Sequence, residues 1–335
     1  MALQALMAEW YFEQGIGEDR AILVEGDAIV EASLELPGLR AGAVLEARLA
    51  AILIPGRRAI VSLASGGDAL LEPVPAELSE GQAIRVEIVR EPIAESGRAK
   101  LAKCRLTDAA PCAGPALRER ISRFGQSLAK PPVLGRDVFE EAGWSELLEQ
   151  AMSGDIPFTG GALRMSLTPA MTLFDVDGAL SPPALAVAGA AAAGRAIRRF
   201  AVAGSIGIDL PTLAARADRQ AAAAALDQVL PQPFERTAVN GFGFLQIVRR
   251  RERASIAESL QGDPIGAAAR ALLRRAERVA GTGERILHAA PSVVARIEAN
   301  PLWLAELGRR TGTAIALRAD PALGLPGGHV QSAFA

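Results

Sequence analysis

The segment Met171-Thr-Leu-Phe-Asp-Val-Asp-Gly178 decides the fold of the central part of this 335-residue chain. Its apolar run predicts a β-strand that ends in two acidic residues, Asp175 and Asp177. A second apolar run, Ala203-Gly-Ser-Ile-Gly-Ile-Asp209, also ends in an acid, and the Ala-rich stretch 182–202 between the two predicts a helix. A strand, a helix and a strand in this order predict a βαβ unit with parallel strands.

The acids that end these two strands predict a metal site. The carboxyl ends of neighbouring parallel strands meet at one edge of a sheet, so Asp175, Asp177 and Asp209 are expected to lie close together. Their repulsion favours a hard cation, and Mg²⁺ binds through one or two carboxylates, waters and phosphate oxygens. A structural alternative stays open, because Asp177 before Gly178 is typical of a turn and Asp209 before Leu-Pro-Thr can cap a helix.

Composition places the chain among folded proteins without a membrane span. Half of the residues are apolar, and the length allows more than one domain. No apolar run reaches the roughly 20 residues of a membrane helix, and the N-terminus lacks the basic start of a signal peptide. Cys104 and Cys112 fit neither a metal spacing nor a disulfide framework, so a cytoplasmic location is expected. With His288 and His329 as the only imidazoles, a zinc enzyme or a histidine-based triad is not expected.

Basic residues are concentrated in the C-terminal part of the chain. Residues 1–194 contain 17 basic and 26 acidic side chains, a net charge of −9, whereas residues 195–335 contain 19 and 12, a net charge of +7. The densest cluster, Arg249-Arg250-Arg251-Glu252-Arg253, follows a predicted strand and suits phosphate oxygens. A solvated basic turn is the alternative interpretation of this cluster.

The first third of the chain predicts short β-strands joined by tight turns. Residues 21–24 and 28–30 flank Glu25-Gly26-Asp27, which is a hairpin signal. No aromatic residue lies between Ala32 and Leu117, so this part lacks the stacking side chains with which OB barrels hold single strands. Four further apolar runs predict a small barrel of the OB type: 44–53, 58–63, 83–89 and 100–106.

The remainder of the chain predicts alternating helices and strands, which is typical of α/β packing. Lys130-Pro-Pro132 is predicted to separate the first two helices. Helices are predicted at 115–128, 144–152, 182–202, 265–279 and 291–297. One further helix follows the strand at 203–209 and is predicted to end at about residue 230. Strands are predicted at 163–167, 171–176, 203–209, 242–248, 285–289 and 313–317.

Three segments resemble the catalytic core of the ribonuclease E/G family in their order and spacing. Residues 161–177, which end in Phe-Asp-Val-Asp, are similar to that family's strand, turn and strand ending in Asp-(Ile/Val)-Asn. Residues 203–210 are similar to its second acid-ending strand, and residues 241–251 are similar to its Arg-Phe-Gly strand that ends in Arg-x-Arg. The tail, around residues 286–296, resembles its small C-terminal domain.

This resemblance implies a multidomain fold of the α+β and α/β classes with a β-rich, OB-like N-terminal part. Its five regions are N-terminal strands that form a ribonuclease H-like remnant (1–36), an OB-like β domain (37–110), a helical connection (111–160), a deoxyribonuclease-I-like α/β catalytic core (161–256) and a small C-terminal α/β domain (257–335).

The resemblance also implies a Mg²⁺-dependent endoribonuclease that cleaves single-stranded RNA in RNA processing or decay. A metal-activated water attacks the phosphodiester, and Mn²⁺ can substitute for Mg²⁺. Asp175 and Asp209 would be the metal-binding carboxylates, and Asp177 stands where the family has a supporting Asn. The expected RNA contacts are Arg249, Arg250, Arg251 and Arg253.

Several positions depart from the family pattern and keep a second interpretation open. Gly241 stands where the family has Arg, and Gln246 stands where it has Glu. The Cys-x-x-Cys zinc link, expected near 256–263, has no counterpart, and the segment 113–155 is too short for the region that senses a 5′ monophosphate. A homodimer is compatible with this pattern, whereas bound zinc and a zinc-linked tetramer are not expected. The alternative function is a catalytically degenerate RNA-binding or scaffold protein of the same fold.

Overall fold

The computed structural model describes residues 8–94, 99–123, 128–129 and 136–332, with the backbone alone for 128–129. It shows a mixed α+β protein with several sheets and a small closed barrel. Within these ranges no helix is long and apolar enough to cross a membrane.

An antiparallel sheet opens the described chain. Strands β1 (Glu9–Gln14), β2 (Asp19–Glu25) and β3 (Ala28–Glu35) pair in sequence order. The hairpin predicted at residues 25–27 is confirmed, and Gly26 has φ +65°, a conformation that glycine adopts without a steric penalty. The sequence patterns do not predict β1.

The predicted N-terminal barrel is a closed barrel of five strands in the order β4-β5-β6-β8-β7, which is compatible with an OB-like part. Its interior is apolar, and Leu49, Val61, Val86 and Ile88 are fully buried there. Four of its strands match the predicted runs, and β6 is the additional one. The strands are β4 (Val44–Ile54), β5 (Arg58–Leu63), β6 (Asp68–Leu71), β7 (Ala83–Arg90) and β8 (Ala102–Leu106).

The connection after the barrel differs from the prediction at one point. Helix α1 (Leu117–Ser122) is much shorter than the predicted helix 115–128. At its predicted end the chain instead forms β9 (Leu128–Ala129), which pairs in parallel with β1, so a tertiary pairing overrides the local helix preference. Residues 124–127 and the predicted break at 130–132 lie outside the described residues.

A six-stranded sheet forms the centre of the molecule, in the order β10-β11-β12-β13-β15-β14. The predicted βαβ unit is confirmed, because β12 and β13 are parallel and α4 connects them. The elements are α2 (Val138–Glu141), α3 (Trp144–Ser153), β10 (Asp155–Phe158), β11 (Gly161–Leu167), β12 (Thr172–Gly178), α4 (Pro182–Arg199), β13 (Gly204–Asp209), α5 (Arg216–Val229), β14 (Glu235–Arg236) and β15 (Phe244–Arg249).

A smaller three-stranded sheet with helices follows, in the order β17-β16-β18. Here the sequence patterns do not predict α6, α9 or β18. The elements are α6 (Ile256–Gly262), α7 (Pro264–Arg278), β16 (Arg285–Ala289), α8 (Pro291–Glu298), α9 (Pro301–Thr311), β17 (Ile315–Ala319) and β18 (His329–Ser332).

Buried ion pairs join this C-terminal part to the N-terminal sheet. Arg270 and Arg274 lie one helical turn apart on α7, and each side chain is 4% exposed. The Arg270 Nε donates to Glu18 at 2.8 Å, and Arg274 contacts Glu13 and Asp137 at 3.2 and 2.7 Å. Such pairs are costly to break, because a lost partner leaves a buried charge without compensation.

Candidate active site

The central sheet is covered by helices on one face and open on the other. In β12, Phe174 and Val176 are buried in the core that α4 completes, whereas Asp175 and Asp177 are exposed. Successive side chains of a strand point to opposite faces, so the two acids share the open face. The predicted site residues on β12 therefore lie on a solvent-accessible surface.

Asp175 and Asp209 lie side by side on this open face. They are register partners on the parallel strands β12 and β13, and both are exposed. Neighbouring strands are about 4.8 Å apart, so the two carboxylates can share one cation. Asp209 does not cap the next helix, because α5 begins at Arg216 and its N-cap is Ala215.

Asp177 lies on the same face but farther along β12. It is opposite Ala162 of β11, and β13 has no residue beside it because the pairing of β12 with β13 ends at Asp175 and Asp209. Among the described residues, no group of three or more His, Cys, Asp and Glu side chains is arranged to hold a metal. The structure thus brings Asp175 and Asp209 together and leaves Asp177 at the margin.

The acid pair belongs to a row of register partners that crosses five strands. From β10 to β15 the row runs Asp155, Arg164, Asp175, Asp209 and Phe244. The exposed Arg164 is the register neighbour of both Asp155 and Asp175, and its guanidinium contacts Asp155 at 3.5 Å. The sequence patterns do not single out Arg164, because its place beside Asp175 depends on strand register.

Two phenylalanines flank the acid pair on the β15 side. The ring of Phe244 lies over Gly207, where a Cβ would be 2.7 Å from a ring carbon. Phe242 is 83% exposed, the highest exposure among the large apolar side chains that the structure describes. The side-chain oxygen of Asn240 accepts hydrogen bonds from the backbone N–H groups of Phe242 and Phe244, at 2.9 and 3.0 Å. The turn therefore holds an exposed aromatic ring near the end of the strand that carries Asp209.

The predicted RNA-binding arginines lie at the other end of β15, and most of them are already engaged. Arg249 shares the helix-covered face with buried Leu245 and Ile247, and its Nη1 donates to the carbonyl oxygen of Val202 at 3.0 Å. Burial lowers the pKa of Arg249. This arginine is therefore directed away from the acid pair.

The other three arginines of the cluster pair with glutamates. Arg251 binds Glu258, and Arg253 lies 3.7 Å from Glu91. Arg250 contacts Glu252 at 3.2 Å, but its side chain remains 76% exposed. Arg250 is thus the member of the cluster best placed to meet an external phosphate, and the RNA-binding role of all four stays a prediction.

The donor atoms on the open face suit a hard cation. Asp175 and Asp209 offer carboxylate oxygens, which are the preferred ligands of Mg²⁺ and Mn²⁺. Softer ligands are elsewhere, since Cys104 is buried in the barrel and the two histidines lie on β16 and β18. The residues present therefore fit Mg²⁺.

Comparison with known proteins does not name a relative. No protein-family model matches the chain, and no curated protein matches its sequence. The function is therefore inferred from the site and from the sequence resemblance.

Proposed function

We propose that this chain is a Mg²⁺-dependent endoribonuclease of the ribonuclease E/G type that cleaves single-stranded RNA. The observation that carries the proposal is the register pairing of Asp175 with Asp209, which sets two exposed carboxylates side by side on an open sheet face. A cleft is not required for an extended strand, because an open face admits a chain that enters and leaves.

The side chains around the acid pair have distinct roles in this reaction. When bound, Mg²⁺ supplies a water that is deprotonated near neutral pH and neutralises charge on the phosphate. Asp175 and Asp209 would hold and orient the cation, and Arg164 on the next strand would donate to a phosphate oxygen. Asp177 is left to orient water at the margin of the site.

The aromatic side of the site would position the RNA. Phe242 presents an exposed ring on which a base can stack, and stacking tolerates every base because each has a π-face. Arg250 at the opposite end of β15 would contact the backbone. Binding of this kind places the strand across β13 and β15 with little sequence selectivity.

The test is cleavage of a short, AU-rich, end-labelled single-stranded RNA in Mg²⁺, Mn²⁺, Ca²⁺ or a chelator. Cleavage is expected with Mg²⁺ and Mn²⁺ and not with the chelator. Asp175→Asn and Asp209→Asn should both lose it, whereas Asp108→Asn, an exposed acid in the segment that follows the barrel, should not. Equal cleavage by wild type and by both site variants would exclude this assignment.

A catalytically degenerate RNA-binding protein of the same fold is the second candidate. Two observations favour it: the described residues hold no cluster of three metal ligands, and the position where the family has Arg is Gly241, with open space around it. The same assay separates the two candidates. RNA binding without cleavage in any of the metals would select the degenerate protein.

A further inference from the structure

A cavity lies at the β10 edge of the central sheet, away from the open face. Its volume is about 410 Å³, and β3, β10 and the ends of α4 and α5 line it. This volume falls in the range of small-molecule sites, which span roughly 300–1,000 Å³. The cavity lies on the helix side of the sheet, whereas Asp175 and Asp209 face solvent on the other side.

Three arginines of the last turns of α4 give this cavity a positive lining. Arg195, Arg198 and Arg199 are spaced to share one side of the helix. With Glu25 as the one acid in the lining, three arginines and one glutamate give a net charge of +2. Arg198 is 3.4 Å from Glu31, outside the lining. A small anion is thus the class of ligand that the lining attracts.

Arg199 has unused hydrogen-bonding capacity inside the protein. Its Nη2 donates to the side chain of Gln150, and its guanidinium lies 4.8 Å from the centre of the Phe200 ring. Its Nε is buried and has no hydrogen-bond partner. Because this Nε is closed to solvent, a ligand in the cavity would meet the outer edge of the guanidinium instead. Arg195, by contrast, is exposed and has no bonding partner among the described residues.

Apart from the charged side chains and Gln228, the lining of the cavity is apolar. Ile29, Ile156, Phe158 and Val229 contribute to this apolar lining. The combination suits a ligand with an anionic end and a flat, weakly polar body.

We propose that this cavity binds a small phosphate monoester with a ring-containing body, of which a nucleoside monophosphate is the representative. A phosphate monoester carries a charge of about −1.5 to −2 at neutral pH and offers three acceptor oxygens, so it can accept hydrogen bonds from two arginines at once. Arg195 and Arg199 donate to the phosphate oxygens, and the ring packs on Ile156 and Phe158. This site does not depend on the acid pair or on the function proposed for it.

The test is calorimetric titration of the full chain with adenosine monophosphate, inorganic phosphate and adenosine, in the presence of a chelator. The monophosphate should bind at least about tenfold more tightly than inorganic phosphate, because the ring adds apolar burial, and adenosine should not bind measurably. Equal affinities for the monophosphate and inorganic phosphate would overturn the ring-binding part. No binding of the monophosphate at millimolar concentration would overturn the proposal.

A matched pair of variants at Ala28 tests the location. Ala28 is exposed at the start of β3 and lines the cavity, so a longer side chain is tolerated there without loss of any arginine. Ala28→Glu should weaken binding of the monophosphate by about tenfold or more through charge repulsion, and the neutral Ala28→Gln should bind within about threefold of wild type. Equal binding by both variants would overturn the location.

Two further variants separate this site from the acid pair. Arg195→Ala should weaken binding of the monophosphate by about tenfold, since a hydrogen bond to a charged group is lost. Asp175→Asn should bind the monophosphate like wild type, and loss of binding in that variant would place the ligand at the acid pair instead.

Discussion

The backbone N–H of Leu210 donates to the carbonyl oxygen of Gly243 at 3.2 Å, which ties the Phe242 turn to the residue that follows Asp209. Gly243 has φ +94°, and a Cβ there would lie 2.2 Å from the Leu210 carbonyl oxygen, so only glycine permits this approach. The backbone of the Phe242 turn is therefore held next to the end of the strand that carries Asp209. This relationship makes Phe242 a positioning residue for RNA in the proposed function.

We expect Phe242→Ala to weaken binding of a short single-stranded RNA in Ca²⁺ by about 1–3 kcal/mol, the usual value of one stacked base. Phe242→Trp should retain the affinity and add a fluorescence signal that is quenched on binding. Leu302→Ala, which removes another highly exposed apolar side chain, is the matched control and should bind like wild type. If the Ala variants at 242 and 302 bind equally, the RNA does not stack on Phe242.

The acid pair predicts opposite effects on activity and stability. Asp175→Asn or Asp209→Asn should reduce Mg²⁺-dependent cleavage by at least about 100-fold, because the cation loses a ligand worth several kcal/mol. Without divalent ions the same variants should melt about 1–3 °C higher, since repulsion between the neighbouring carboxylates is relieved. Melting curves of wild type and variants with and without Mg²⁺ check this. If the variants melt like wild type in both conditions, the assignment of a metal site to these two acids is wrong.

The negative charge of Asp177 is expected to be unnecessary for cleavage. It has no neighbour on β13, and an Asn there keeps a carbonyl oxygen that can accept a hydrogen bond from a metal-bound water. Asp177→Asn should cleave within about threefold of wild type or faster, in keeping with the small effects of surface substitutions. Initial cleavage rates at saturating Mg²⁺ measure this. A complete loss of cleavage would make Asp177 a direct ligand.

The arginine cluster predicts a difference between neighbours on the chain. Arg250→Ala should make the log–log dependence of RNA affinity on salt shallower by about 0.7, the value of one phosphate contact on a single strand. Arg249→Ala should leave that slope unchanged, because its guanidinium is directed to the Val202 carbonyl on the covered face. Salt titrations of RNA binding in Ca²⁺ compare the two, and parallel slopes for all three proteins would place the RNA elsewhere.

The buried Arg274 predicts a large and pH-dependent loss of stability. Arg274→Ala leaves Glu13, Asp137 and Glu140 without their common partner, so the free energy of unfolding at neutral pH should fall by about 3–5 kcal/mol. Arg309→Ala, which breaks an exposed pair with Glu306, is the control and should change stability little.

Asp137 sets the sign of the pH dependence. Burial raises the pKa of Asp137, but the hydrogen bond and charge of Arg274 outweigh it and hold the pKa below its ordinary value of 3.8. A carboxyl whose pKa is lowered in the folded state contributes its full stability above its unfolded-state pKa. This contribution is lost as the pH falls through the folded-state pKa. The difference in the free energy of unfolding between wild type and Arg274→Ala, measured with urea, should therefore be largest at neutral pH and become smaller below pH 3.8. A difference that grows in acid would contradict this assignment.

Local signals in the sequence determined most elements of the fold. The Glu25-Gly26-Asp27 turn predicts its hairpin, and the apolar runs that end at Val176 and Asp209 predict the parallel strands, because these features depend on residues near one another. The prediction failed at Leu128, where a helix was expected. That residue pairs with β1, more than a hundred positions earlier, and no local pattern reports such a partner.

The sequence by itself determined which acids end the two strands, and only the tertiary structure decided what stands beside them. Arg164 joins Asp175 through strand register, and the arginines after β15 meet Glu91 and Glu258 from other elements. Charge composition shows that these residues exist but not which of them are already paired. Pairing depends on three-dimensional proximity, because Coulomb attraction falls with distance in space and not along the chain.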